Sequence, residues 1–140
     1  GGDAHGWWDL VADELTEVDR DGRAWLLTED AGSLGSAPMP EGVRLLPPGD
    51  PYIQLRDRAT IVDRAHHRTV WKTVGAPGTV LVDGQVIGTW RPHKSGRRLT
   101  VSVAPFAPLS PDDRTRVRAE AESIAPLRGA ASVAVDVAPA

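Results

Sequence analysis

Four cations fall within eight residues in the run Trp90-Arg91-Pro92-His93-Lys94-Ser95-Gly96-Arg97-Arg98. Guanidinium forks and an ammonium, carried on a loop between two predicted strands, suit phosphate oxygens. Each phosphate neutralised releases a counterion and steepens the salt dependence of binding. Arg91, Lys94, Arg97 and Arg98 are therefore the candidate phosphate contacts. Trp90, at the edge of the run, is the candidate stacking platform for a base. The same run also fits a solvated hairpin tip whose charges keep a sheet edge soluble. Arginine makes up 14 of the 16 basic residues. That excess follows genomic base composition as readily as phosphate recognition, so it adds no independent support. For the five tryptophans as a group, core packing is the default.

Other chemistry is hard to assemble. His66-His67 is the one adjacent histidine pair. Adjacent helical residues point about 100° apart, which suits a surface pair better than two ligands of one metal. Asp50, Asp57 and Asp63 lie among Arg56, Arg58, Arg64 and Arg68. Structural ion pairs explain them better than a catalytic dyad. There is no Gly-x-Ser-x-Gly, no Gly-x-Gly-x-x-Gly and no phosphate loop. The expectation is no catalytic residue, no metal and no small-molecule cofactor in this chain.

The 140 residues amount to one domain, or one domain with an appendage. The absence of Cys excludes a disulfide framework and a thiolate zinc site. No uncharged apolar run approaches the ~20 residues that cross a bilayer, so a cytoplasmic protein with no membrane partner is expected. The first residues, Gly1-Gly2, suggest a processed form or a fragment. The net charge of −3 hides an asymmetry. Residues 1–50 carry 3 Lys/Arg against 11 Asp/Glu, a net of −8; residues 51–100 carry 9 against 3, a net of +6. The positive excess concentrates in residues 56–72 and 91–98, which favours an anionic partner for the middle of the chain.

These residues need elements to hold them. Residues 1–6 have no periodicity and read as a disordered tail or an expression remnant. Trp8, Val11, Ala12 and Leu15 fall at helical spacing. Asp21-Gly22, between two short apolar runs, signals a hairpin. Residues 30–42 are rich in Gly, Ser and Pro and read as a linker. Val43–Leu46 is a short strand stopped by an extended corner, Pro47-Pro48-Gly49-Asp50-Pro51. Asp63 is placed to cap a short helix towards Trp71. Thr79–Val82 and Gln85–Trp90 flank Asp83-Gly84, a hairpin with a primed turn. Leu99–Val103 and Ser132–Val137 alternate as strands. Ser110, Pro111, Asp112 and Asp113 open a helix running to about Pro126, with Val117, Ala121 and Ile124 inward. The expected class is α+β: a helix–hairpin piece, then a small antiparallel β-barrel or strongly curved sheet closed by the C-terminal helix.

Several stretches, taken in order, carry a family resemblance. They are Leu45-Leu46-Pro47-Pro48-Gly49-Asp50-Pro51-Tyr52, Arg56-Asp57-Arg58, Val80–Arg91 with its Val-Asp-Gly-x-x-x-Gly-Thr-Trp-Arg core, and Val103-Ala104-Pro105-Phe106. Their order and spacing resemble the C-terminal part of the tandem winged-helix DNA-binding family. That family includes bacterial DNA glycosylases that excise alkylated purines and unhook interstrand crosslinks. The resemblance covers roughly residues 7–137 and implies that residues 7–29 are the end of a winged helix, with the Asp21-Gly22 hairpin as its wing. It implies that residues 43–137 are a C-terminal β-barrel. The family's catalytic Gln-x-Gln or Gln-x-Asp motif has no counterpart here, since Gln54 is followed by Leu-Arg and Gln85 by Val-Ile. The resemblance thus implies a non-catalytic region of a protein that binds double-stranded DNA. The alternative is a structural or protein-interaction module that braces winged helices without touching DNA.

Overall fold

A computed structural model of the chain describes residues 9–19, 23–54 and 57–140. The chain divides into two compact units, Gly1–Met39 and Pro40–Ala140. In the first, a 3-10 turn at Ala12–Glu14 leads into strand β1 (Leu15–Asp19), which pairs antiparallel with β2 (Arg23–Leu27). The register, Leu15 opposite Leu27 and Asp19 opposite Arg23, confirms the hairpin; its turn at Asp21-Gly22 lies outside the described residues. The helical spacing of Val11, Ala12 and Leu15 is misleading, because Leu15 already belongs to β1. Thr16 and Val18, both β-branched, favour the extended form there. Trp8 and the rest of residues 1–8 lie outside the described residues. A short helix α1 (Thr28–Ala31), which crosses into the stretch expected to be a linker, and a 3-10 turn at Leu34–Ser36 within that stretch follow.

The second unit is built on a five-stranded sheet in the order β3 (Val43–Leu46), β4 (Gly78–Val82), β5 (Gln85–Ser95), β6 (Arg98–Pro105) and β7 (Ser132–Val137). The sheet is open, with β3 and β7 at its edges, so the expected barrel closure is not present. Nor is it wholly antiparallel, since β7 runs parallel to β6. The physical reason is the helix between them, α3 (Pro111–Ile124). Parallel neighbours need a crossover connection, and a helix that returns the chain to the same end of the sheet supplies it.

Helix α3 starts as its sequence dictates. The Ser110 hydroxyl accepts from the Asp113 amide at 3.0 Å, and Pro111 occupies the first turn. Val117 and Ala121 are fully buried on one face of the sheet against Val80, Trp90, Leu99, Val101 and Val103. The other face is covered by irregular chain. A short helix α2 (His67–Val70) and the 3-10 turns around it place Ile53, Ile61, Val62 and Val70 on Leu81 and Val86, which are cross-strand partners. Asp63 caps the turn leading into α2, its carboxylate accepting from the Ala65 amide at 2.8 Å.

The β4–β5 turn has positive φ at both Asp83 (49°) and Gly84 (81°), the primed geometry that matches strand twist. The Asp83 carboxylate accepts from the Gly42 amide at 2.8 Å and from the Arg116 guanidinium of α3. That guanidinium lowers the Asp83 pKa below its ordinary value of 3.8, and Asp83 in turn raises that of Arg116. One carboxylate thereby ties the turn, β3's entry and α3 together.

Candidate nucleic-acid interface

The basic run is a regular ribbon and not a loop. Strand β5 continues through Pro92 to Ser95, only Gly96 and Arg97 form the turn, and β6 begins at Arg98. Proline is tolerated because β4 starts only at Gly78, opposite Trp90, which leaves β5 with an open edge beyond that point. Gly96 turns the chain at φ 56°.

The register then sorts the side chains. Directly opposite residues of an antiparallel pair share a face, and successive residues alternate. Trp90 lies opposite Val103 and Lys94 opposite Leu99, on the α3 side. Arg91 opposite Ser102, His93 opposite Thr100 and Ser95 opposite Arg98 fall on the reverse side. The four cations are thus split between two faces and the turn, rather than gathered in one cluster.

Trp90 differs from the sequence expectation. It is 1% exposed, in the core beneath α3, and its indole N–H donates to the Leu46 carbonyl at 2.8 Å. The Arg128 guanidinium lies 5.3 Å from its ring centroid. A ring enclosed this way offers no face to a base, so Trp90 packs the core and does not stack on nucleic acid. Arg91 is exposed, but its guanidinium donates to the Gly75 carbonyl. The Lys94 ammonium lies 3.2 Å from the point a Cβ on Gly129 would occupy, over the end of the 3-10 turn Pro126–Arg128. The Arg97 carbonyl accepts from the Ala131 and Ser132 amides at 2.7 and 3.3 Å, which fixes the turn against the start of β7. The Arg97 and Arg98 side chains are exposed and, among the described residues, have no hydrogen-bond or ion-pair partner. Of the four cations of the run, these are the two left free among the described residues.

The remaining candidates resolve into structural roles. His66 stacks on Phe106 with centroids 3.8 Å apart, whereas His67 contacts the Val62 carbonyl at 2.9 Å and meets Trp71 edge-on. The two rings serve different neighbours, and no group of three potential metal ligands occurs among the described residues. Asp50, Asp57 and Asp63 were expected in ion pairs. Their carboxylates instead accept from the amides of Tyr52, Ala59 and Ala65, two residues on in each case. The ion pairs seen include Arg44–Glu120, Arg116–Asp83 and Arg116–Asp113, none of them with Asp50, Asp57 or Asp63. No described helix is long and apolar enough to cross a membrane.

One feature escaped the reading of single residues. A cavity of about 420 Å³ opens beside α2, lined by Gln54, Arg58, Trp71, Lys72 and Thr73 among others. Its signal in the sequence was the positive excess of residues 56–72.

Comparison with known proteins bears on all of this. A family model described as DNA glycosylase AlkZ-like matches residues 1–127. A Streptomyces sahachiroi protein named interstrand DNA cross-link repair glycosylase is 37% identical over 89 residues, covering 60% of this chain and 24% of that protein. The solved structure of Streptomyces sahachiroi DNA glycosylase AlkZ superposes with a TM-score of 0.77 at 28% identity, over 96% of this chain and 36% of that one.

Proposed function

The chain belongs to the AlkZ-like DNA glycosylase family, and from that premise we propose that it is a DNA-contacting, non-catalytic region of a DNA-repair glycosylase. On this reading residues 7–29 are the end of a winged helix whose wing is the β1–β2 hairpin. Residues 30–42 link it to the sheet unit of residues 43–137. The partner is double-stranded DNA, met through its phosphates without base readout, and the chemistry of base excision belongs to another part of the protein. The observation that carries the reading is the pair Arg97 and Arg98, exposed at a hairpin end pinned by the start of β7 and free of partners among the described residues. A mobile cation must be ordered at an entropic cost on binding, and a cation carried on an ordered ribbon loses less. Arg91 and Lys94 add charge from either side.

The test is binding of labelled duplex to this chain across a salt series. Replacing Arg97 and Arg98 by Gln is expected to lower the slope of log K against log salt by about 1.8, two phosphate contacts at about 0.9 each. An unchanged slope and affinity would remove the hairpin from the interface.

A second reading has one observation in its favour. Arg91 bonds to a backbone carbonyl and Lys94 lies against the 126–129 turn, so two of the four cations already serve the fold. In that case the unit braces neighbouring parts of the glycosylase and does not touch DNA. Failure of the chain to shift duplex even at low salt is the outcome that selects it.

A further inference from the structure

We propose that the cavity beside α2 is an oxyanion site that takes a phosphate of the DNA backbone, at a place distinct from the β5–β6 hairpin. Two cations, Arg58 and Lys72, line it, with the Gln54 amide and the Thr73 hydroxyl as further donors. Among the described residues no carboxylate lines it. Asp50 and Asp57, next in sequence to the lining residues Gly49 and Arg58, are not among the described lining residues; their carboxylates accept from the Tyr52 and Ala59 amides. Like charges gathered without a counter-charge attract an anion, and a guanidinium fork beside an ammonium matches the oxygens of a phosphate.

The site is also preorganised. The Arg58 guanidinium carbon lies 4.7 Å from the Trp71 ring centroid, a cation–π contact that holds the fork flat. Trp71 is itself fixed, its indole N–H donating to the Ile53 carbonyl at 3.0 Å and its ring meeting His67 edge-on. Such a fork gives up little rotamer freedom on binding.

Position favours a DNA phosphate over other anions. Thr73 and Ala76 line the cavity, and between them Gly75 accepts from the Arg91 guanidinium. The wall of the cavity is therefore tied to the hairpin face that carries Arg91 and Arg98. A backbone lying along that face from Arg98 to Arg91 is led to the cavity wall at Gly75. The identity of the ligand rests on the DNA-backbone reading above; the existence of an oxyanion site does not.

The experiment begins with inorganic phosphate, titrated into the whole 140-residue chain at constant ionic strength. The readouts are the Trp71 indole N–H resonance and the Lys72 and Thr73 amides. A saturable shift is expected in the native chain and in R97Q/R98Q. It is expected to vanish in R58Q/K72Q and to weaken in K72Q, an exposed change that leaves the core untouched. Unshifted α3 amides show that each variant is folded. No saturable shift, or one that survives in R58Q/K72Q, overturns the site. Short duplex DNA is then added. Displacement of phosphate from the Trp71 resonance, with a salt slope lowered by about 0.9 in R58Q/K72Q for the one phosphate held, supports the backbone assignment. Saturable phosphate binding that duplex does not displace overturns that assignment and leaves a site for free oxyanions. Loss of the hairpin reading shows only in R97Q/R98Q, so the two failures are separable.

Discussion

The two faces of the β5–β6 ribbon have opposite fates. On the α3 side, Trp90, Leu99, Val101 and Val103 are all 2% exposed or less. On the reverse side, Arg91, His93, Ser95 and Arg98 are exposed, though Arg91 and Arg98 are the chain neighbours of buried Trp90 and Leu99. The two-residue period of a strand makes this possible, because it lets one short stretch serve a core and a partner at once. The face under α3 fixes where the ribbon lies, and the reverse face is then free to carry charge. The comparison implies a division of effects: substitutions on the first face change stability, and those on the second change binding.

The largest effect is expected at Trp90. Truncation of Trp90→Ala should destabilise the sheet unit by about 3–5 kcal/mol, the range for a large aromatic lost from a packed core. Trp90→Phe keeps most of the volume and loses the bond to the Leu46 carbonyl, so it should cost less. Denaturant melts of both variants check the order. If Trp90→Ala melts like the native chain, the ring is not part of the core and its stacking role returns. Gly78 comes next. A Cβ there would lie 2.3 Å from the Trp90 indole nitrogen and 2.4 Å from the Leu46 carbonyl oxygen, on either side of that hydrogen bond. Gly78→Ala should therefore cost about 1–3 kcal/mol through overpacking, despite the usual gain from replacing glycine in a strand. A melt showing a more stable Gly78→Ala would mean that strands β4 and β5 part easily, against the ordered ribbon described above.

How much of this division was legible in the sequence depends on the range of the interaction. The Asp83-Gly84 turn, the Ser110 cap with Pro111 and the Asp63 cap are local, and each rests on residues within three positions of one another. All three appear as read. The open sheet was not legible, and a barrel was expected in its place, because closure depends on which strands are neighbours, and alternation in Ser132–Val137 is the same for a parallel edge strand as for an antiparallel one. The basic run was read as a loop because Pro92 and Gly96 are turn signals. The reason they do not end the strand, the start of β4 only at Gly78, opposite Trp90, lies in another part of the chain. Trp90 was misread for the same reason, since its partner Leu46 is 44 positions away. The split of the cations between faces needed the register. The family itself was legible from the Leu-Pro-Pro corner and the Val-Asp-Gly hairpin.

A smaller effect is expected at Asp83, which anchors α3 to the β4–β5 turn and so holds the covered face in place. Its folded pKa lies below 3.8 because of Arg116 and the Gly42 amide. A depressed carboxylate stabilises the fold fully above the unfolded value and loses that contribution as pH falls through the folded one. Asn tolerates the positive φ of this position, so Asp83→Asn removes the charge and keeps the turn. The melting temperature of Asp83→Asn should sit below that of the native chain at neutral pH. The two should converge below pH 3.8, once the native carboxylate is protonated. A gap that stays constant into acid would mean that the charge contributes nothing and that the difference is steric.

The smallest effect on stability, and the sharpest test of the division, is Arg98→Gln. Arg98 lies on the exposed face opposite Ser95, without a hydrogen-bond or ion-pair partner among the described residues, while its chain neighbour Leu99 is 1% exposed. Surface substitutions away from such partners leave stability nearly unchanged. Arg98→Gln should therefore melt with the native chain, while the salt slope of duplex binding falls by about 0.9. Leu99→Ala, one residue along, should do the reverse: a loss of about 2–5 kcal/mol in stability, with an unchanged salt slope wherever the chain is still folded. If both substitutions moved both readouts, the faces would be energetically coupled. The free cations would then belong to the fold as much as to a partner.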